Sequence, residues 1–172
     1  MSASLVLTVI GDDRPGLVGE LSAAISANGG NWLESSMSHL SGKFAGIVRI
    51  DAPPENLAAL RGALTALPHL KVTAEAAGGE APTGRSRRLN LTLVGHDRIG
   101  IVREVSQVLA GRGVNVEELN THTASAPMSA EILFHAQAEL MAGEDLDVRE
   151  LKADLERISN DLMVDITLGE IV

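Results

Sequence analysis

The sequence contains an internal duplication. Shifting the 172-residue chain by 84 positions aligns residues 5–34 with residues 89–118, and identical residues recur throughout the overlap. The matched stretch includes a short turn, GDDRPG in the first copy and GHDRIG in the second. Two copies with so long a period indicate a duplicated small domain, because solenoid repeats are about 20–50 residues long and need at least three units.

The segment between the copies differs in composition from both. Residues 77–88 are rich in Gly, Pro, Ser and charge, and they offer a core almost nothing to bury. Such a composition is typical of a flexible linker. We therefore predict a first domain over residues 1–76, a linker over 77–88 and a second domain over 89–172.

The first copy has a readable order of elements. Leu5–Ile10 is an apolar run, typical of a strand that is buried on both faces. The segment Gly11–Gly16 breaks it, and apolar residues then recur at helical spacing until Gly29 and Gly30, which favour a helix end. An alternating hairpin over residues 32–51, a leucine-rich helix and a last alternating strand follow.

The second copy repeats this order. Its predicted elements are a strand over 89–94, a helix over 101–112, a long hairpin over 114–140, a helix over 148–161 and a strand over 162–168. Asp147 and Glu150 form the pattern of a capping box at the last helix. The order βαββαβ in each copy predicts an α+β fold with two ferredoxin-like domains, each an antiparallel sheet with helices on one face.

The turn between the first strand and helix carries the residues of most interest. Asp13 is placed to accept the free N–H groups of the helix start. Gly16 and Gly100 lie in a first helical turn, where glycine costs about 0.5–1 kcal/mol relative to alanine. Their presence in both copies suggests a close approach, either of the facing strand or of a small anion resting on backbone N–H groups.

Two further residue pairs have open interpretations. Arg14 and Arg98 are either surface charges or partners for a ligand carboxylate or a neighbouring subunit. Asn31 and Asn115 follow the helix end and are either turn residues or ligand groups. An amide side chain offers both a donor and an acceptor, which suits the ammonium and carboxylate of an amino acid.

Composition and charge restrict the class of protein. The chain has no cysteine, two Phe, one Trp and a formal net charge of −9. This balance disfavours direct binding of nucleic acid, whose phosphates it would repel. The lack of cysteine gives no sign of an oxidising compartment, and the first apolar run ends at Gly11, too early for a membrane span. We expect a cytoplasmic protein that does not contact membranes.

No catalytic constellation is recognisable in the sequence. Gly11–Gly16 has the glycine spacing of a phosphate-binding loop, but Leu17 and Val18 stand where that motif needs Lys and Ser or Thr. The histidines lack the spacing of metal ligands, and no serine lies in a G-x-S-x-G motif. We therefore expect no catalytic residues, no metal and no cofactor.

The segment GDDRPGLVGELSAAISANGGNW, followed by a hairpin, a helix and a strand, resembles the ACT domain, a regulatory fold of many amino-acid-sensitive enzymes. A free-standing tandem pair with an Asp-Arg-Pro-Gly turn resembles the glycine cleavage system transcriptional repressor family. The resemblance covers nearly the whole chain outside the linker. The second copy departs from the family pattern, with Ile99 in place of Pro and a longer hairpin.

The resemblance implies a ligand site between the strand-to-helix turn of one domain and the second strand of a neighbour. Carried over to this sequence, it implicates two sets of residues: Asp13, Arg14, Gly16, Leu17 and Asn31 in the first copy, and Asp97, Arg98, Gly100, Ile101 and Asn115 in the second. It also implies action through a protein partner, a transcriptional activator, rather than through DNA.

These observations lead to one functional expectation. We expect a non-enzymatic regulatory protein that senses a small amino acid, with glycine as the first candidate, and controls transcription of glycine cleavage genes through a protein partner. A homodimer is expected, because a unit of this size with an uncovered sheet face and an open edge strand is marginal alone.

Three alternatives remain open. The chain could be a ligand-free interaction module, or a regulatory subunit of an amino-acid metabolic enzyme. The third alternative is an enzyme, since formyltetrahydrofolate deformylase begins with a similar ACT domain. Against that, the second half of this chain repeats the first half rather than supplying a catalytic domain.

Overall fold

The computed structural model describes residues 1–79, 84 and 86–171. The chain divides into two compact units, residues 1–81 and 82–172, called here the first and second unit. Much of the predicted linker, residues 80–83 and 85, lies outside the described residues. Its last three residues, 86–88, belong to a strand of the second unit.

The first unit contains four strands and two helices in the predicted order. The strands are β1 (Ala3–Asp12), β2 (Asn31–Leu40), β3 (Lys43–Ala52) and β4 (Lys71–Ala76). The helices are α1 (Leu17–Ala27) and α2 (Leu57–Thr65), the latter preceded by a short 3₁₀ turn at Pro54–Asn56.

The second unit repeats this arrangement with longer elements. Its strands are β5 (Ser86–His96), β6 (Asn115–Ser125), β7 (Ile132–Gly143) and β8 (Val164–Ile171). Its helices are α3 (Ile101–Gly111) and α4 (Val148–Leu162). The fold is therefore a tandem pair of ferredoxin-like βαββαβ domains, as the duplication predicts.

Each unit has one four-stranded antiparallel sheet. The strand orders are β2-β3-β1-β4 and β6-β7-β5-β8, so the first strand of each unit lies in the middle of its sheet. The second strand of each unit lies at an edge. It carries a bulge in both units, at Leu33 and at Glu117.

The helices of each unit pack on one face of its sheet. In β1, Leu5, Leu7 and Val9 are buried together with leucines of both helices, whereas Ile10 on the other face is 44% exposed. The expectation that this strand is buried on both faces is wrong. The reason is that side chains alternate along a strand, so every second residue points away from the helices.

Both first helices end as the glycine pattern predicts. Gly29 and Gly113 have φ values of 73° and 69°, the left-handed conformation that glycine adopts without strain. The next residue, Gly30 or Val114, donates its N–H to the carbonyl of Ile25 or Leu109 at 2.9 Å. These are the bonds of a Schellman motif.

The predicted cap of α4 is confirmed in its main part. Asp147 Oδ1 accepts the backbone N–H groups of Arg149 and Glu150 at 2.9 and 3.3 Å. The carboxylate of Glu150 pairs with Arg112 at the end of α3. The side chain expected to complete the capping box thus joins the two helices.

Candidate functional site

The strand-to-helix turn of each unit rests against the hairpin of the same unit. In the first unit, Asp13 N–H donates to the carbonyl of Gly42, at the tip of the β2–β3 hairpin, over 2.9 Å. In the second unit, Asp97 N–H donates to the carbonyl of Ile132 over 3.0 Å. The duplicated Asp therefore fixes the turn to the hairpin through its backbone.

The Asp13 side chain does not cap α1. The helix begins at Leu17 with Gly16 as its N-cap, and no side chain of the described residues accepts a hydrogen bond there. Instead, Asp13 Oδ2 lies 3.3 Å from Nδ1 of His39 in β2. The cap prediction is wrong because the helix starts four residues after Asp13, beyond the reach of its short side chain.

Gly16 and Gly100 are required by backbone conformation. Their φ values are 94° and 97°, a region that residues with a Cβ rarely adopt. An added Cβ at Gly16 meets no described atom within 4 Å, and one at Gly100 meets only Arg103 Nη2 at 3.9 Å. Among the described residues, no strand packs against either glycine.

The close approach expected at this turn occurs at its first glycine. A Cβ on Gly11 would collide with the carbonyl oxygen of His69, and a Cβ on Gly95 would collide with the side chain of Val164. Both neighbours lie at the start of the last strand of their unit or just before it. The two glycines of the motif thus have different physical roles.

The start of each first helix presents free backbone donors. The helical bonds begin with Glu20 N–H to Gly16 O at 2.9 Å and Glu104 N–H to Gly100 O at 3.0 Å. The N–H groups before them have no acceptor inside the helix, and the described side chains provide no cap for α1 or α3. With the helix dipole, such an end favours a carboxylate or another small anion.

Leu17 and Ile101 contribute to this site through their backbone. Both side chains are buried in the core of their unit, so only their N–H groups face the turn. Arg14 and Arg98 are exposed beside the same helix starts. Arg98 Nη1 lies 3.5 Å from the carbonyl of Leu162, a contact too long to fix the guanidinium.

Asn31 and Asn115 lie far from the turn of their own unit. Asn31 is opposite Asp51, which is opposite Ser4 at the start of β1. The turn follows the other end of β1, so at about 3.3 Å per residue the separation is about 25 Å. Asn115 lies at the corresponding end of the second sheet, in register with Met141. Neither unit brings its Asn to its turn.

Two histidines near the first turn were not predicted as site residues. His39 contacts Asp13 as described, and His69 Nδ1 lies 3.1 Å from Glu20 Oε1 in the first turns of α1. Glu20 and His69 are 49 residues apart in the chain. No local pattern could reveal this pair, because only the packing of the last strand beside β1 brings it together.

The charges at the first turn are partly neutralised. Lys43 in β3 forms a hydrogen bond and an ion pair with Asp12, and together they lower the pKa of that carboxyl below its ordinary value.

Within residues 1–79, 84 and 86–171, no group of three or more His, Asp or Glu could hold a metal ion. None of the described helices is both long and apolar enough to cross a membrane.

Comparison with known families agrees with this architecture. The ACT domain model matches residues 3–74 and 87–168, one match in each unit. The chain therefore belongs to the ACT domain family.

Two solved structures are similar to this chain over its whole length or nearly so. An unknown protein from Galdieria sulphuraria is 32% identical, with 100% of each chain covered and a TM-score of 0.85. A protein described as a candidate glycine cleavage system transcriptional repressor is 20% identical, with 99% of this chain and 98% of that chain covered and a TM-score of 0.74. At 20% identity, the similarity to this second structure shows a shared fold alone. No match is found among curated proteins.

Proposed function

We propose that this ACT-domain protein is a non-enzymatic regulator that binds a small amino acid at its strand-to-helix turns. The observation that carries the proposal is the uncapped start of α1 and of α3, each opened by a glycine in the left-handed conformation. The same arrangement in both units is hard to explain by stability, because a capping side chain would strengthen each helix by about 1 kcal/mol.

The turn supplies complementary groups for an amino acid. The ligand carboxylate accepts hydrogen bonds from the first N–H groups of the helix, and the Arg14 or Arg98 guanidinium pairs with it. The ligand ammonium faces the carboxylate of Asp13 or Asp97. A small side chain suits a site built mainly from backbone, and glycine is therefore the first candidate.

A neighbouring copy of the chain completes the site. Because Asn31 lies at the far end of its own sheet from Gly16, the Asn that reaches a turn belongs to another domain. Among the described residues, β2 and β6 each pair with a strand on one side only, which leaves the other side open to pair. We infer a homodimer in which an Asn at an edge strand closes a turn of the other copy.

A ligand bound between two copies regulates the protein by changing how the copies are arranged. A ligand held by both copies shifts their equilibrium arrangement by its difference in affinity for the alternatives. That shift exposes or hides a surface for a protein partner. We infer that this partner is a transcriptional activator and that the regulated genes are those of glycine cleavage, the system named for the candidate repressor of similar fold.

The test measures binding of amino acids to the full chain. Calorimetry and thermal unfolding are run with glycine, alanine, serine and larger amino acids. Arg14→Gln removes the guanidinium, and Val18→Pro removes one N–H donor at a position in the first helical turn where proline is tolerated. Lys152→Gln, on the exposed side of α4, is the matched loss of one positive charge.

We expect glycine to bind and to raise the melting temperature of the wild type, with at least tenfold weaker binding in Arg14→Gln and Val18→Pro. Lys152→Gln should bind like the wild type. If no amino acid gives heat or a melting shift, the chain is a ligand-free interaction module. Equal binding by all three variants would place the ligand elsewhere.

A further inference from the structure

The first sheet has an exposed apolar centre on the face that its helices leave open. Ile10 in β1 and Ile47 in β3 are 44% and 55% exposed, and Val6 lies on the same face of β1. Thr8, between the two β1 residues, lies directly opposite Ile47. A patch of branched apolar side chains on an exposed face is typical of a surface that binds another protein.

The second sheet has polar residues at the equivalent positions. Asn90 takes the place of Val6, and Gln137 takes that of Ile47. Both sheets have the same strand order, so the fold itself does not require an apolar open face. The apolar centre of the first sheet is therefore best explained by a surface that covers it.

Two opposite charges flank this centre on the edge strand β4. Lys71 lies opposite Ile10, and Glu75 lies opposite Val6, so both side chains point to the open face. They are four residues apart, about 13 Å along the strand, which is too far for an ion pair with each other. No ion pair joins either side chain to another of the described residues. Both charges are therefore available to a partner.

A second copy of the same face complements these groups. When two such sheets stack, a two-fold axis between them can run across the strands, through the row of Thr8. This axis reverses the order of residues along each strand, so Lys71 of one copy lies over Glu75 of the other. On β1, Val6 of one copy lies over Ile10 of the other. Apolar groups thus meet apolar groups, and opposite charges meet each other.

Further charges agree with this axis and not with the alternative one. On β3 the same axis brings Asp51 of one copy over Lys43 of the other, because each lies four residues from the central Ile47. An axis along the strands would instead place β4 over β2 and Glu75 over Glu34, because these two residues lie in one row of the sheet. Like charges would then meet. Charge complementarity therefore selects the axis across the strands.

The size of the face is sufficient for a dimer of moderate affinity. The sheet is four strands wide, about 20 Å, and its ten-residue strands are about 30 Å long. A stack of two such faces covers about 1,200 Å² in total, which is the lower end of the range for specific interfaces. We therefore expect an association that depends on protein concentration.

We propose that the open face of the first sheet binds the same face of a second copy, with Lys71 of each copy paired with Glu75 of the other. This interface uses the face of the sheet, whereas the homodimer described under the proposed function uses edge strands. The two interfaces are independent, and neither requires the other.

The first test changes the charges of the full chain and measures its oligomeric state by sedimentation velocity at low salt over a range of concentrations. Lys71→Glu places two carboxylates over each other at both symmetric contacts. The double variant Lys71→Glu/Glu75→Lys restores opposite charges in the reversed order. Lys152→Glu, on the exposed side of α4, is the matched control for the charge change.

We expect the wild type and Lys152→Glu to associate alike, and Lys71→Glu to associate at least tenfold more weakly. The double variant should recover the association of the wild type. The mass of Lys71→Glu should fall by half, from dimer to monomer, or from tetramer to dimer when edge strands pair as well. An unchanged mass in Lys71→Glu, or a double variant that stays dissociated, would show that this face does not bind its own copy.

The second test examines the geometry without changing any charge. The sequence has no cysteine, so Thr8→Cys introduces a single thiol beside the two-fold axis. Stacked sheets lie about 10 Å apart, beyond the reach of a disulfide, so a bismaleimide of about that length is the crosslinker. Thr92→Cys, at the same place in the second sheet, is the matched control.

We expect Thr8→Cys to give covalent dimers in high yield and Thr92→Cys to give few. Equal yields from the two variants, or no dimer from Thr8→Cys, would overturn the proposal. The absence of a crosslink in Thr8→Cys is the outcome when another part of the same chain, and not a second copy, covers the face.

Discussion

Glu118 in β6 lies directly opposite Glu139 in β7, on the face of the second sheet that the helices leave open. The first unit has Glu34 and Arg49 at the same two positions, and Arg49 Nε donates to Glu34 Oε2 over 2.9 Å. Opposite charges across a strand pair are stabilising, and like charges are destabilising. At this equivalent pair, the first sheet therefore has an attractive charge pair and the second sheet has a repulsive one.

Replacing Glu139 with Arg should restore the attraction in the second unit. We expect the free energy of opening of β6 and β7 to rise by about 0.5–1 kcal/mol, as measured by native-state hydrogen exchange at low salt. The gain should shrink in 1 M salt, which screens charges beyond about 3 Å. Glu156→Arg, on the exposed side of α4, makes the same charge change and should not protect these strands. An equal gain from both variants would mean that only the net charge matters.

Two glycines three residues apart in the chain should respond oppositely to alanine. Gly16→Ala forces a Cβ into the left-handed region and should lower the free energy of unfolding by about 1–2 kcal/mol. Gly19 lies inside α1 with open space around it, so Gly19→Ala should raise that free energy by about 0.5–1 kcal/mol. Urea unfolding of both variants checks this. Losses of similar size at both positions would contradict the conformational explanation.

The fold could be predicted from the sequence because local signals agree with the duplication. The glycine helix ends at Gly29 and Gly113, and the alternating hairpins, each predict one element in two independent copies. What the sequence could not give is the environment of single residues. Gly16 is favoured by its positive φ and not by a close neighbour. A sequence motif does not distinguish a glycine required by backbone conformation from one required by a close approach.

The candidate site was predicted less completely than the fold. The motif identified the turns, but Asp13 contacts His39 instead of capping the helix. Asn31 is separated from the turn by the length of α1, which begins at the turn and ends just before Asn31. The contact between Glu20 and His69, in contrast, depends on strand order, which local periodicity does not contain.

Trp32 should be a major source of stability in the first unit. Trp32→Val reproduces the residue found in β6 and opens the space between α1 and β2, so we expect a loss of about 2–3 kcal/mol in the free energy of unfolding. Hydrogen exchange of α1 and β2 measures it within that unit. Leu40→Val, at an exposed position near the other end of the same strand, is the control and should change little. A negligible loss in Trp32→Val would mean that the indole does not fill a core space.

The helices of the second unit are joined by an ion pair whose contribution should depend on pH. Arg112 Nε donates to Asp154 Oδ2 over 2.7 Å, and this bond holds the pKa of Asp154 below its ordinary value of 3.8. A carboxyl whose pKa is lower in the folded state stabilises the fold fully above its unfolded pKa. That stabilisation is lost as the pH falls through the folded pKa.

Asp154→Asn should therefore unfold more easily than the wild type at pH 7 and at pH 5, and the difference should shrink as the pH is lowered from 4 to 2. Urea unfolding across this range, with hydrogen exchange of α3 and α4, measures the difference. Asp161→Asn removes the same charge from α4 without touching Arg112, and its offset from the wild type should not follow this course. A deficit in Asp154→Asn that stays constant down to pH 2 would show that packing around the side chain, and not its charge, stabilises the contact between the helices.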